Sequence, residues 1–106
     1  MTGKCKTWDI WLANVKFEDS DEIKQRPVVI INHTAFILCL KVTSNITREE
    51  CGGNYLIRNW RETGLEMPSV VMLDKAIKIE NGDLNKRIGT LHPNDVLLIQ
   101  HRLIPR

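Results

Sequence analysis

Arg26 precedes Pro27 at the mouth of an apolar run, Val28-Val29-Ile30-Ile31, and a hydroxyl pair, Thr43-Ser44, closes the next apolar run. Proline disfavours the α region for the residue before it, so Arg26 is held extended. Its guanidinium supplies a permanent charge and a planar fork of donors. A rigid cation beside a hydroxyl suits phosphate, either as recognition or as phosphodiester chemistry. If the phosphodiester is RNA, the 2′-OH is the nucleophile and cleavage needs no metal. It needs a group to take the 2′ proton, one to stabilise the phosphorane and one to protonate the departing 5′ oxygen. Arg26 suits charge stabilisation, and Thr43 or Ser44 a hydrogen bond to a non-bridging oxygen. The base is open between Asp74, an acid of the 18–22 loop such as Asp21, and His33. Arginine, always protonated, is a poor unassisted base. An Arg-Pro before a strand also occurs as an ordinary solvated strand start, so the pair alone assigns nothing.

The elements that must position these residues are short and β-rich. Ile10, Leu12 and Val15 alternate as a half-buried strand would. Residues 18–25, EDSDEIKQ, read as a polar loop. Pro27–Asn32, Phe36–Val42, Ser69–Leu73 and, more weakly, Lys86–Leu91 are further strand runs. Residues 44–54 break the pattern, and residues 58–64 contain a helical turn ended by Gly64. A terminal helix starts at Pro93 with Asp95 in its first turn. Its apolar stripe is Val96, Ile99 and Leu103, with Leu91 stapled to Val96 or Leu97. The fold class is therefore mainly β, a small barrel or strongly bent antiparallel sheet with a C-terminal helix. If 27–32 and 36–42 pair around a His33-Thr34-Ala35 loop, Arg26 falls opposite Val42 and diagonal to Thr43. A loop one residue shorter puts Arg26 directly opposite Thr43, about 5 Å away.

The bulk properties set wider bounds. The chain has 106 residues, 42% hydrophobic and 26% charged, which predicts one soluble domain, 1–106, burying roughly 60–65% of its unfolded surface. No apolar stretch approaches the roughly 18 residues of a membrane span, and MTGKCKTWDIW lacks a signal-peptide pattern. Cys5, Cys39 and Cys51 form an odd set without CxxC spacing, which points away from a zinc knuckle or disulfide scaffold and towards the reducing cytoplasm. A net charge of +2 permits a nucleic-acid partner without requiring one.

Five blocks carry a resemblance: DIWLANVKF (9–17), KQRPVVIIN (24–32), LKVTS (40–44), NWRETGLEMPSVVMLDK (59–75) and KRIGTLHPNDVLLI (86–99). In order and spacing they resemble the MazF/PemK toxins of bacterial type II toxin–antitoxin systems, particularly the PemK-like branch. The resemblance implies an SH3-like barrel that forms a homodimer. It implies a metal-independent, cofactor-free endoribonuclease cutting single-stranded RNA at short sequences, leaving 2′,3′-cyclic phosphate and 5′-hydroxyl ends. The implied partner is a small antitoxin that occupies the RNA site. Arg26 matches the family's catalytic arginine, Thr43 its catalytic threonine, and Asp74 an acid near the site. Ser20-Asp21 stand where many members have Ser-Glu. Asp21, Lys24, Gln25 and Ser44 complete the expected set as RNA contacts.

Three positions depart from the family pattern. Met72 stands where the branch commonly has arginine, Trp8 where the opening strand usually has glycine, and His92 where the last helix usually has a serine N-cap. Losing that cap costs about 0.5–2 kcal/mol if nothing substitutes. Trp8, Trp11 and Trp60 read as core or interface aromatics, Cys39 as a small hydrophobe. Lys16, Lys24, Arg48, Arg58 and Arg61 read as solvated charges or a groove lining. The alternative function is a non-catalytic binding toxin on the same fold, of the gyrase-poison type, or an inactive RNA- or antitoxin-binding relic.

Overall fold

A computed structural model describes residues 5–16, 22–46 and 54–103 of the chain. The Val- and Ile-rich runs form strands, as β-branched side chains favour. They are β1 (Asp9–Lys16), β2 (Ile23–His33), β3 (Ile37–Thr43), β4 (Tyr55–Leu56), β5 (Val70–Ile79) and β6 (Leu84–Thr90), followed by helix α1 (Pro93–Leu103). Every pairing is antiparallel, in the order β4-β5-β3-β2-β1-β6. The molecule measures 32 × 31 × 30 Å, so the sheet is strongly bent; a flat one would be much thinner in one direction.

Irregularities in the ladders bend it, since bulges kink a strand and increase its twist. The β2–β3 register changes between Ile30 and Asn32, and the β1–β6 register shifts at two places. Between Leu40↔Ala76 and Val42↔Val71, two steps along β3 match five along β5. That odd excess reverses which face a β5 residue presents. Val71 joins one buried cluster with Ile10, Val29, Leu40, Val42 and Ile99, while Ile79 joins another with Ala13, Val15, Val28, Ile30 and Cys39. Adjacent Val28 and Val29 point into different clusters, as strand pleating requires.

Several boundaries differ from the sequence reading. Ile23, Lys24 and Gln25 belong to β2 and not to a loop, because β1 supplies their ladder while their side chains stay exposed. The hairpin loop is Thr34–Phe36, with β3 starting at Ile37. β5 runs six residues past Leu73, where alternating Ile77, Lys78 and Ile79 pair with β3. In β1 the two register shifts leave Leu12 half-buried while Ala13 and Val15 are buried. Trp8 has φ +74°, a left-handed conformation that favours glycine. It is held there by Trp8 N–H donating to the Ile30 carbonyl at 2.6 Å and by the Trp8 carbonyl accepting Leu91 N–H at 3.0 Å.

Helix α1 is tied down by a buried charge. Ile99 is fully buried and Val96 packs on the same cluster as Leu91, whereas Leu97 and Leu103 are exposed, so the staple runs through Val96. Asp95 is also fully buried. Its carboxylate accepts hydrogen bonds from the Tyr55 hydroxyl, from Arg58 N–H and Asn59 N–H at 3.0 Å each, and from Asn59 Nδ2 at 3.2 Å. Burial pushes this carboxyl up, but the hydrogen bonds from Tyr55, Arg58 and Asn59 outweigh it and hold it below its ordinary value. For Tyr55, burial and then Asp95 push the phenol up. His92 substitutes for the expected serine: its Nδ1 accepts Asn94 N–H at 3.1 Å.

Two stability outcomes are expected. Asp95→Asn should cost roughly 3 kcal/mol, because an NH2 replaces one acceptor oxygen and leaves the buried donors facing it unpaired. A carboxyl lowered on folding stabilises fully above its ordinary value of 3.8 and loses that stabilisation as pH falls below it. Thermal unfolding of both proteins across pH should therefore show their gap closing below pH 3.8. His92→Ala should lose about 0.5–2 kcal/mol in denaturant unfolding, while His92→Ser should be close to neutral.

Candidate active site

Arg26 and Thr43 meet where two paired strands part. The β2–β3 ladder runs from His33↔Ile37 to Val28↔Lys41 and begins one residue after Pro27, which has no N–H to donate. Beyond that point each strand is held from its far side: Arg26 pairs with Ala13 of β1, and Thr43 with Val70 of β5. The register of Val28↔Lys41, carried on past the last pair, sets Arg26 opposite Thr43. This is the register expected for a shorter loop, reached here with a three-residue loop through the irregularity at Ile31.

The parted strands open a groove of about 1080 Å³. Arg26, Pro27, Thr43 and Ser44 line one part of it, Leu12 and Val15 of β1 and Met72 of β5 another. Arg26 is exposed and Thr43 half-buried. Thr43 Oγ1 accepts Asn45 N–H at 3.1 Å, which orients the hydroxyl and leaves its own proton to donate. A second wall comes from Gly64–Met67, packed against β6. Gly64 has φ +96°, and a Cβ on Gly89 would fall 1.7 Å from the Thr63 carbonyl oxygen. Only glycine permits that approach. Thr63 Oγ1 secures the turn, donating to the Trp60 carbonyl at 2.6 Å and accepting Leu65 N–H at 3.0 Å.

The groove is cationic. Arg26, Lys41, Lys86 and Arg87 line it, against Glu66 as the one carboxylate among the described lining residues. A net charge of +2 thus conceals a local concentration that attracts polyanions. Sequence reasoning missed Lys41 and gave no role to Lys86 or Arg87. The bend of the sheet brings β3 and β6, with two strands between them, to one groove, and no local motif marks these residues.

Of the other expected site residues, Ser44 lines the groove. Lys24 and Gln25 lie on exposed β2 outside its lining, and Lys24 Nζ is 3.7 Å from Glu22. Asp74 is on β5, but its side chain, like the whole of Asp21, lies outside the described residues. His33 sits at the far end of β2, roughly 23 Å along the strand from Arg26, with Cys5 Sγ 3.4 Å from its Nδ1. That distance removes it as a base for chemistry at Arg26. Arg58 and Arg61 are also outside the groove lining, Arg61 lying over the Trp60 ring at 5.2 Å. Cys39 is a buried free thiol, pushed up to about 12 by burial and the nearby Asp83.

Over residues 6–105 the chain matches the PemK-like, MazF-like toxins of type II toxin–antitoxin systems. It belongs to that family. Among solved structures, the PemK-like chain resembles the Mycobacterium tuberculosis toxin MazF-mt6, with a TM-score of 0.71 and 23% identity over 90% of this chain and 91% of the other. An endoribonuclease from mycobacterial species gives a TM-score of 0.71 and 14% identity over 93% and 86%. At those identities the likeness is one of fold. No curated protein sequence gives a significant match. No helix among the described residues of this PemK-like toxin is long and apolar enough to cross a membrane.

Gly89→Ala is expected to destabilise the protein by about 1–3 kcal/mol, as overpacking does. The obstructing atom is backbone and cannot swing aside; equilibrium urea unfolding checks this.

Proposed function

We propose that this toxin is a sequence-specific, metal-independent endoribonuclease acting on single-stranded RNA. The observation that carries the reading is the meeting of Arg26 and Thr43 in one cationic groove. Family membership and a structural neighbour described as an endoribonuclease support it.

In this mechanism the 2′-oxygen of the substrate attacks the adjacent phosphorus as its proton leaves to a base. The phosphorane collapses by breaking the bond to the 5′-oxygen, which takes a proton. The ends are a 2′,3′-cyclic phosphate and a 5′-hydroxyl. Arg26 stabilises the charge growing on the non-bridging oxygens. The Thr43 hydroxyl, oriented by Asn45 N–H, donates to one of those oxygens, with Ser44 beside it. Asp74 or Asp21 exchanges the protons, and Lys24 and Gln25 contact the strand beyond the groove. Such acid–base help contributes roughly 10²–10⁴ in rate. The toxin works in the cytoplasm as a homodimer, and a small antitoxin neutralises it by covering the groove.

Purified protein incubated with mixed-sequence RNA in EDTA should cut at a short sequence and leave 5′-hydroxyl ends. Folded Arg26→Ala should lose at least about a hundredfold in cleavage rate. Undiminished cutting by that variant would overturn the assignment. Growth arrest by a wild-type protein that cuts no RNA would replace the nuclease with a binding toxin.

A further inference from the structure

The groove holds a second arginine whose orientation is built in. Arg87 of β6 lines it, and its guanidinium lies 3.4 Å from Oδ1 of Asp9. The Asp9 side chain is 5% exposed and that of Arg87 53%, so the acid is the fixed partner and the arginine the presented one. Asp9 is fixed through its other oxygen. Oδ2 accepts Lys6 N–H at 2.9 Å and Trp11 Nε1–H at 3.4 Å. Those bonds leave Oδ1 for Arg87, which gives it one nitrogen, Nη2. A guanidinium carries five N–H donors in a planar fork. An edge of the fork is therefore available to a second acceptor without breaking the pair.

The location suits a strand already engaged by Arg26. β6 and β2 both pair with β1, Trp11 standing opposite Arg87 on one side and Val28 on the other. Two inter-strand steps separate the two arginine rows by roughly 10 Å across the sheet. Leu12, half-buried, lies between them in the groove, and Lys86 adds a further charge beside Arg87. An ordinary solvated ion pair needs neither a buried acid with two other donors nor a place in the groove.

We infer that Arg87, oriented by buried Asp9, is a phosphate-binding residue for a neighbouring nucleotide of the RNA. The strand then crosses the sheet from β3 and β2 over β1 to β6. This deepens the reading of the groove as an RNA site and rests on it. Arg87 holds the backbone and takes no part in bond breaking. Asp9 is a positioning residue acting through it.

The test is binding of random-sequence 2′-O-methyl RNA, which lacks the nucleophile, across a salt series. Arg87→Gln keeps a donor for Asp9 but removes the charge. It should weaken binding roughly tenfold, as losing one charged hydrogen bond does. The slope of log K against log salt should shrink by about 0.7 for one lost phosphate contact on a single strand. Cleavage should show a raised KM with kcat near wild type. If the variant misfolds, Arg87→Lys keeps the charge and should keep the slope. A folded Arg87→Gln with unchanged affinity and slope, beside a wild type that cuts RNA, overturns this inference alone. A wild type that neither binds nor cuts RNA removes both readings.

Discussion

One buried carboxylate sets the geometry on which the rest depends. Asp95 enters from the first turn of α1 and collects donors from Tyr55, Arg58 and Asn59, some forty residues earlier in the chain. A charge taken out of water is costly unless its lone pairs are filled, so the helix and the 55–59 segment have one mutually satisfying arrangement. From Asn59 the chain runs directly into the Trp60–Glu62 turn and then into Gly64, which lies against β6. The wall of the groove is thus positioned through a chain of contacts anchored on α1. Arg102 adds to the same junction, donating to the Asn54 carbonyl and lying over the Tyr55 ring at 5.2 Å.

How much of this was legible in the sequence depends on the range of the interaction. The strand runs, the Gly64 turn and the start of α1 at Pro93 are local and could be read. The proximity of Arg26 and Thr43 could be read too, because hairpin register is nearly local. The end of β5 could not, since its alternation only gains meaning against β3. Asp95 was legible as an acid suiting the positive end of a helix, but its partners are remote. Lys41 comes from β3 and Lys86 and Arg87 from β6, with two strands between them, and bulges that no local motif announces set the registers across that span. Trp8 is a different case: the position requires a glycine-like backbone, and this chain keeps it with tryptophan, held by flanking backbone hydrogen bonds.

The groove itself follows from an interruption. A continuous β2–β3 ladder would bring Arg26 and Thr43 together with no space for a third body. Pro27 stands where that ladder stops, and β1 and β5 restrain the two free lengths from outside. The floor of the cavity is therefore sheet. Sites mounted on sheet hold their geometry better than sites on loops, which suits chemistry that depends on placing a phosphate between fixed donors.

The alternation of the central strands has a thermodynamic corollary. β1, β2, β3 and β5 each give side chains to both buried clusters: Ile10 and Ala13, Val29 and Val28, Leu40 and Cys39, Val71 and Ile79. Neither cluster owns any of these four strands outright, so neither can melt and leave the other intact. Amides of these strands should exchange with solvent through a single global opening, as one cooperative unit, although the two apolar cores never merge.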